Sequence, residues 1–141
     1  MEGGELEKIV EAAERIRRLE VQGATNVAVT AVRAMVELIE ASEAEDRSSV
    51  LAEIADAREI LFRSRETEPF MRNAVRYIEW RVGEAAGETA EELRDLIQGV
   101  SDELIRGFTE ARRRIAEIGS RRIVPGSRVL THCHSSAVGM V

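Results

Sequence analysis

Arg121-Arg-Ile-Val-Pro-Gly-Ser-Arg-Val-Leu-Thr-His-Cys-His-Ser-Ser136 is the stretch whose reading decides the fold. Pro125-Gly126 is a turn signal, Arg128 to Cys133 has the β-branched and apolar content of a buried strand, and Ser135-Ser136 supplies residues suited to capping a following helix. Everything upstream reads as helix. A lone strand leaves its backbone donors and acceptors unpaired, and only five residues follow Ser136. The expectation is a mainly α chain: a five-helix domain over residues 1–122, then a linker turn and the first strand of a truncated sheet domain over 123–141. On that reading the chain is the front part of a larger two-layer protein.

Working back from this stretch, apolar spacing of three and four marks each helix. Leu6, Ile9, Val10, Ala13, Ile16 and Leu19 form one stripe, broken at Gln22-Gly23-Ala24. Val27, Ala31, Ala34, Met35 and Leu38 form the next, which runs to about Ser42; the acidic loop Glu43 to Asp46 then offers Asp46 as an N-cap. Val50, Ile54, Ala57 and Leu61 make a third. Pro69 suits the first turn of a fourth, whose buried side is Phe70, Ala74, Ile78 and Val82 and whose end is weakened by Gly83 and Gly87. Thr89-Ala-Glu-Glu92 is a capping box, and Leu93, Ile97, Val100, Leu104, Phe108, Ala111, Ile115 and Ile118 hold one long stripe before Gly119.

The 141 residues are one domain's length, and a hydrophobic content of 44% suffices for a core. With 4% aromatics, Ala, Val, Ile and Leu must fill it. There is no basic, apolar leader at the N-terminus, and no segment approaches the roughly 18 apolar residues of a membrane span, so a cytoplasmic protein without a membrane partner is expected. The single cysteine, Cys133, has no internal disulfide partner, which fits a reducing compartment. A net charge of -6 argues against nucleic acid as partner. Between Ile105 and Arg128, however, seven arginines face two glutamates, a local surplus of five. Such a cluster either attracts a small phosphate or is a solvated complement to a helix C-terminus.

Two places put a helix start behind a tight turn, Gly23-Ala24 and His134-Ser135-Ser136, and exposed N–H groups there suit a phosphate. For Gly23 a plain helix–helix turn is the competing reading. Cys133, at the end of the expected strand and beside a helix start, has reasons for a lowered pKa and for nucleophilic or proton-donating chemistry; a buried, inert thiol is the alternative. Strand alternation sets His132 and His134 opposite Cys133, which argues against a zinc site, and neither a metal nor a cofactor is expected.

The chain resembles the N-terminal half of the superfamily that joins the alpha, beta and delta subunits of translation initiation factor 2B to ribose-1,5-bisphosphate isomerase and methylthioribose-1-phosphate isomerase. Three stretches carry the likeness: Arg18 to Ala24, Ile60 to Thr67 with Asn73 to Tyr77, and Ile118 to Ile123 leading into Val129 to Ser135. The resemblance implies a helical domain packed on a Rossmann-like C-terminal domain, here absent apart from its first strand, with substrate phosphates in the cleft between them. It implies that Cys133 is the catalytic cysteine and that Gly23, Ala24, Arg65 and Ser135 are phosphate or substrate contacts. Two departures stand out: Gln22 and Glu66 occupy positions where the isomerases usually show Arg and Pro. Losing a guanidinium removes a bidentate phosphate clamp, and the added carboxylate repels the same anion. The cysteine's acidic partner belongs to the C-terminal domain, so the chain alone is expected not to turn over.

These features together favour a regulatory binding and assembly module of initiation factor 2B type, partnering initiation factor 2. The alternative is the N-terminal half of a sugar-phosphate aldose–ketose isomerase, with Cys133 catalytic. A self-standing helical protein that lost the chemistry is a third reading. The unpaired strand edge predicts self-association, a homo-oligomer.

Overall fold

A computed structural model describes residues 6–85, 89–131 and 135–141. Five α-helices follow one another: α1 Glu7–Arg17, α2 Ala24–Ala41, α3 Arg47–Ser64, α4 Pro69–Glu84 and α5 Ala90–Ser120, with a 3-10 turn at Val138–Met140. The chain divides into two compact units, Met1–Glu103 and Leu104–Val141, so the boundary falls inside α5.

In the first unit α2 packs on α1, α3 and α4, and α1 also packs on α3. The stripes read from the sequence on α2 and α3 are buried throughout, and on α4 Ala74, Ile78 and Val82 are buried together with Met71 and Val75, while Phe70 of the expected stripe is only half-buried. Val27, Ala31, Ala34, Met35 and Leu38 on α2, and Val50, Ile54, Ala57 and Leu61 on α3, are all buried. Helix α2 also buries Ala28, Val32 and Ile39, a wider face than a single stripe, because neighbours cover it on several sides. Leu93, Ile97 and Val100 bring the first turns of α5 into the same core. On α1 the buried residues are Ile9, Ala12, Ala13 and Ile16, while Val10 and Leu19 of the expected stripe stay exposed. Leu19 instead ends the helix: its φ is 59°, with its N–H donating to the Ile16 carbonyl and the Glu20 N–H to that of Arg15. That is a Schellman closure with leucine where glycine is preferred.

The helix starts follow local chemistry. Asp46 caps α3, accepting the Ser49 N–H at 3.0 Å and bonding the Ser48 and Ser49 hydroxyls. Pro69 occupies the first turn of α4. The capping box of α5 forms both ways: Thr89 N–H donates to Glu92 Oε2 at 2.7 Å and Glu92 N–H to Thr89 Oγ1 at 3.3 Å. Two helix ends are closed by arginines from other elements. Arg94 donates to the carbonyls of Ile39 (3.2 Å), Ser42 (2.8 Å) and Ala44 (2.8 Å), closing α2. Arg47 donates to those of Gly83 and Ala85, closing α4. Gly87 lies outside the described residues.

In the second unit the long α5 stripe departs from expectation. Ala116 is buried, but Ile115 and Ile118 are exposed, the latter at 60%. An apolar stripe is buried only where a second surface meets it; among the described residues of this unit the chain end does so at Gly119, where an added Cβ would come within 2.8 Å of Val141 Cγ2. No strand forms among the described residues. Arg128 to Thr131 is irregular, and Leu130 is 98% exposed. Strand geometry needs a laddered neighbour, and no described segment supplies one.

Two measurements check this account. Arg94→Ala is expected to lower the free energy of unfolding by about 2 kcal/mol, because three carbonyls lose a charged donor at once. The urea slope should stay unchanged, and Arg94→Lys, without the guanidinium fork, should recover only part of the loss. The bonds from Ser48 and Ser49 hold Asp46 at about 2, below its ordinary 3.8. Its anionic cap therefore stabilises the fold above pH 3.8, and that contribution disappears as pH falls to about 2. Melting temperature followed across this range should fall less steeply in Asp46→Asn than in the natural chain.

Candidate functional site

The sequence-derived candidates fall in three places. Gly23 precedes α2 with φ 84° and ψ 132°, a region glycine tolerates and other residues do not. No side chain caps this helix start. The first intrahelical bond runs from Val27 N–H to the Gly23 carbonyl, so the N–H groups of Ala24, Thr25 and Asn26 lie ahead of the ladder. Gly23 and Ala24 are exposed. The Asn26 side chain donates to the Gln22 carbonyl at 3.0 Å and pins the turn. Three backbone donors without a described partner thus stand at the positive end of an eighteen-residue helix, the kind of place where an anion is favoured.

Arg65 follows the last residue of α3, half exposed. Its Nε stands 3.7 Å from Glu68 Oε2, and Glu68 is 8% exposed at the start of α4. An anion reaching Arg65 therefore shares the guanidinium with a carboxylate that is already in place. The α3–α4 corner also forms a groove of about 370 Å³ lined by Glu66, Thr67, Pro69, Arg72, Asn73 and Arg76. Four of these come from the stretches that carry the family likeness. Arg72 and Arg76 flank the Phe62 ring, with guanidinium carbons 4.1 and 5.4 Å from its centroid. Arg72 is not among the residues expected from the sequence. Its signal was the four-residue spacing to Arg76 opposite an aromatic. Glu66 puts negative charge into the groove, so the corner combines two cations with one repelling anion. No described hydrogen bond or ion pair joins it to the α2 start.

Ser135 belongs to the second unit. Its hydroxyl accepts from the Val138 N–H at 3.5 Å and its carbonyl from the Gly139 N–H at 3.0 Å, so it is tied to the short 3-10 turn that follows. His132, Cys133 and His134 lie outside the described residues. Of the arginines that make this region basic, Arg113 is held by Glu110 at 2.9 Å and also by Glu117, whereas Arg106, Arg114, Arg121, Arg122 and Arg128 have no ion pair among the described residues. No group of three metal-ligating side chains occurs among the described residues. No described helix is long and apolar enough to cross a membrane.

A helical domain with a glycine-led, uncapped helix start and an arginine-bearing corner is the class of structure these observations define. The chain belongs to the initiation factor 2 subunit family, whose pattern matches residues 20–141. It is 34% identical over 94% of its length to a ribose 1,5-bisphosphate isomerase from Thermococcus kodakarensis, covering 42% of that protein. It is 36% identical to another from Archaeoglobus fulgidus, again over 94% of the chain and 40% of the relative. Its fold matches the crystal structure of 5-methylthioribose 1-phosphate isomerase from Pyrococcus horikoshii with a TM-score of 0.80 at 26% identity, covering 92% of this chain and 36% of that one. The chain thus spans about two fifths of the length of the curated relatives it matches.

Gly23→Ala tests this helix start. Forcing a Cβ into this backbone region is expected to cost about 1–3 kcal/mol of stability by thermal melting, through crowding against its own backbone and not against the rest of the fold, whose nearest atom lies 3.9 Å from the new Cβ.

Proposed function

We propose that this chain is the helical N-terminal portion of a sugar-phosphate aldose–ketose isomerase of ribose-1,5-bisphosphate isomerase type. The observation that carries the proposal is the likeness to proteins of that name across nearly the whole chain. It reverses the order of the two readings taken from the sequence, in which the assembly module came first. In that role the α2 start and Arg65 receive substrate phosphates, Ser135 is a further substrate contact, and the Cys133 thiol takes part in moving hydrogen between adjacent sugar carbons. Gln22 and Glu66 weaken phosphate binding relative to an arginine and a proline there, and the three backbone donors behind Gly23 retain the seat without them.

The second reading, an assembly module that contacts an initiation factor 2 subunit, is favoured by the family's description. A chimera separates the two: this chain joined to the remaining C-terminal length of the Thermococcus kodakarensis isomerase. It is expected to consume ribose 1,5-bisphosphate, and Cys133→Ala to cut the rate by about 100-fold or more while leaving the melting curve in place. A folded chimera with Cys133 intact and no turnover, together with capture of an initiation factor 2 subunit by the chain, would establish the module instead.

A further inference from the structure

The outward face of α4 carries a pattern that neither the core nor the phosphate seat uses. Arg76, Trp80 and Glu84 follow at four-residue spacing, so they share one stripe, and all three are exposed. Trp80, the chain's single tryptophan, keeps 56% of its surface in water. It is not a loose side chain on a loop. Its ring lies 5.8 Å from that of Tyr77, and the Tyr77 hydroxyl accepts from Arg81 at 2.9 Å, so the aromatic pair is held on a helix that the core fixes from behind. Three residues on, Gly83 has no atom within 4 Å of where a Cβ would stand, which leaves open space beside the indole. Neither Arg76 nor Glu84 forms an ion pair among the described residues.

We propose that this stripe is the contact face for a second copy of this chain, with two α4 helices meeting antiparallel about a two-fold axis at Trp80. The order of charges selects that occupant. Positive, aromatic, negative is complementary to itself only when the second helix is turned end for end. Arg76 and Glu84 stand roughly 12 Å apart along the helix, and the turn brings each against its opposite in the other copy. The two indoles meet at the centre, where large aromatic side chains contribute most to an interface, and each Tyr77 ring faces the gap at the other copy's Gly83. A sixteen-residue helix covers less than the roughly 800 Å² per side of a standard interface, which sets association in the micromolar range. Of this stripe Arg76 also lines the α3–α4 groove, whereas Trp80 and Glu84 do not, and the face does not involve the exposed residues around Leu130.

Sedimentation equilibrium of the full 141-residue chain, followed from low to high micromolar concentration, tests the proposal. The natural chain should dimerise, with Trp80 emission moving to shorter wavelength as it does so. Arg76→Glu and Glu84→Arg each set like charges together twice and should raise the dissociation constant by about tenfold or more. An equimolar mixture of the two variants should restore association, because each changed residue then meets its opposite. Arg76 also lies over Phe62, so Glu84→Arg is the arm that leaves the ring contact intact. Leu130→Asp should associate like the natural chain. A chain monomeric throughout, single variants that associate unchanged, a mixture no tighter than its components, or loss of association in Leu130→Asp would each overturn the proposal.

Discussion

Helix α2 has to be buried on several sides and yet present its first turn to water, and the rest of the first unit is arranged around that requirement. Apart from Arg33, Glu37 and Glu40 its eighteen residues carry no charge, and eight are buried. A helix covered so widely has few places to satisfy its terminal carbonyls. The Arg94 guanidinium, brought in by α5, takes one carbonyl at the helix end and two just beyond it. The first turn has no such partner, and its donors remain open behind Gly23. One end is fixed so that the other has a defined position.

That asymmetry connects packing to chemistry. Small residues on α2, among them Ala28, Ala31 and Ala34, let neighbouring helices approach closely, and the bulk of the core comes from Met35, Leu38, Ile54, Leu61 and Ile78 around them. A phosphate group at the α2 start would meet donors that lose little mobility on binding, since the helix behind them is held along its length. At the α3–α4 corner the balance is different: Arg65 is tied to Glu68, and Glu66 faces the groove. Repulsion there opposes an anion, whereas the α2 start presents backbone donors with no carboxylate described beside them.

Much of this was legible in the residues. Asp46, Pro69 and the Thr89–Glu92 box mark helix starts because their reach is local: each acts on backbone within three residues. The stripes on α2, α3 and the first half of α5 were legible because burial in the first unit follows the helical period. Two things were not. Arg94 and Arg47 close helices that lie more than thirty residues away in sequence, and no local pattern announces such a partner. The second half of α5 and Val129-Leu130 have the apolar content of buried segments yet stay exposed, because content shows what a segment prefers to meet and not whether a surface is there to meet it. For the candidate site, Gly23 carried its signal in a tight turn, whereas the restraint of Arg65 by Glu68 depends on a side-chain geometry that spacing does not settle.

Most depends on α2 holding rigid while its first-turn N–H groups stay open to an anionic ligand. Residue-resolved hydrogen exchange of α2, with and without ribose 1,5-bisphosphate, tests it most directly. Amides from Val27 to Ile39 are expected to exchange only through global unfolding, and those of Ala24, Thr25 and Asn26 to exchange freely until the sugar phosphate slows them. Exchange of the α2 interior at the rate of surface loops, or first-turn amides indifferent to the ligand, would contradict it.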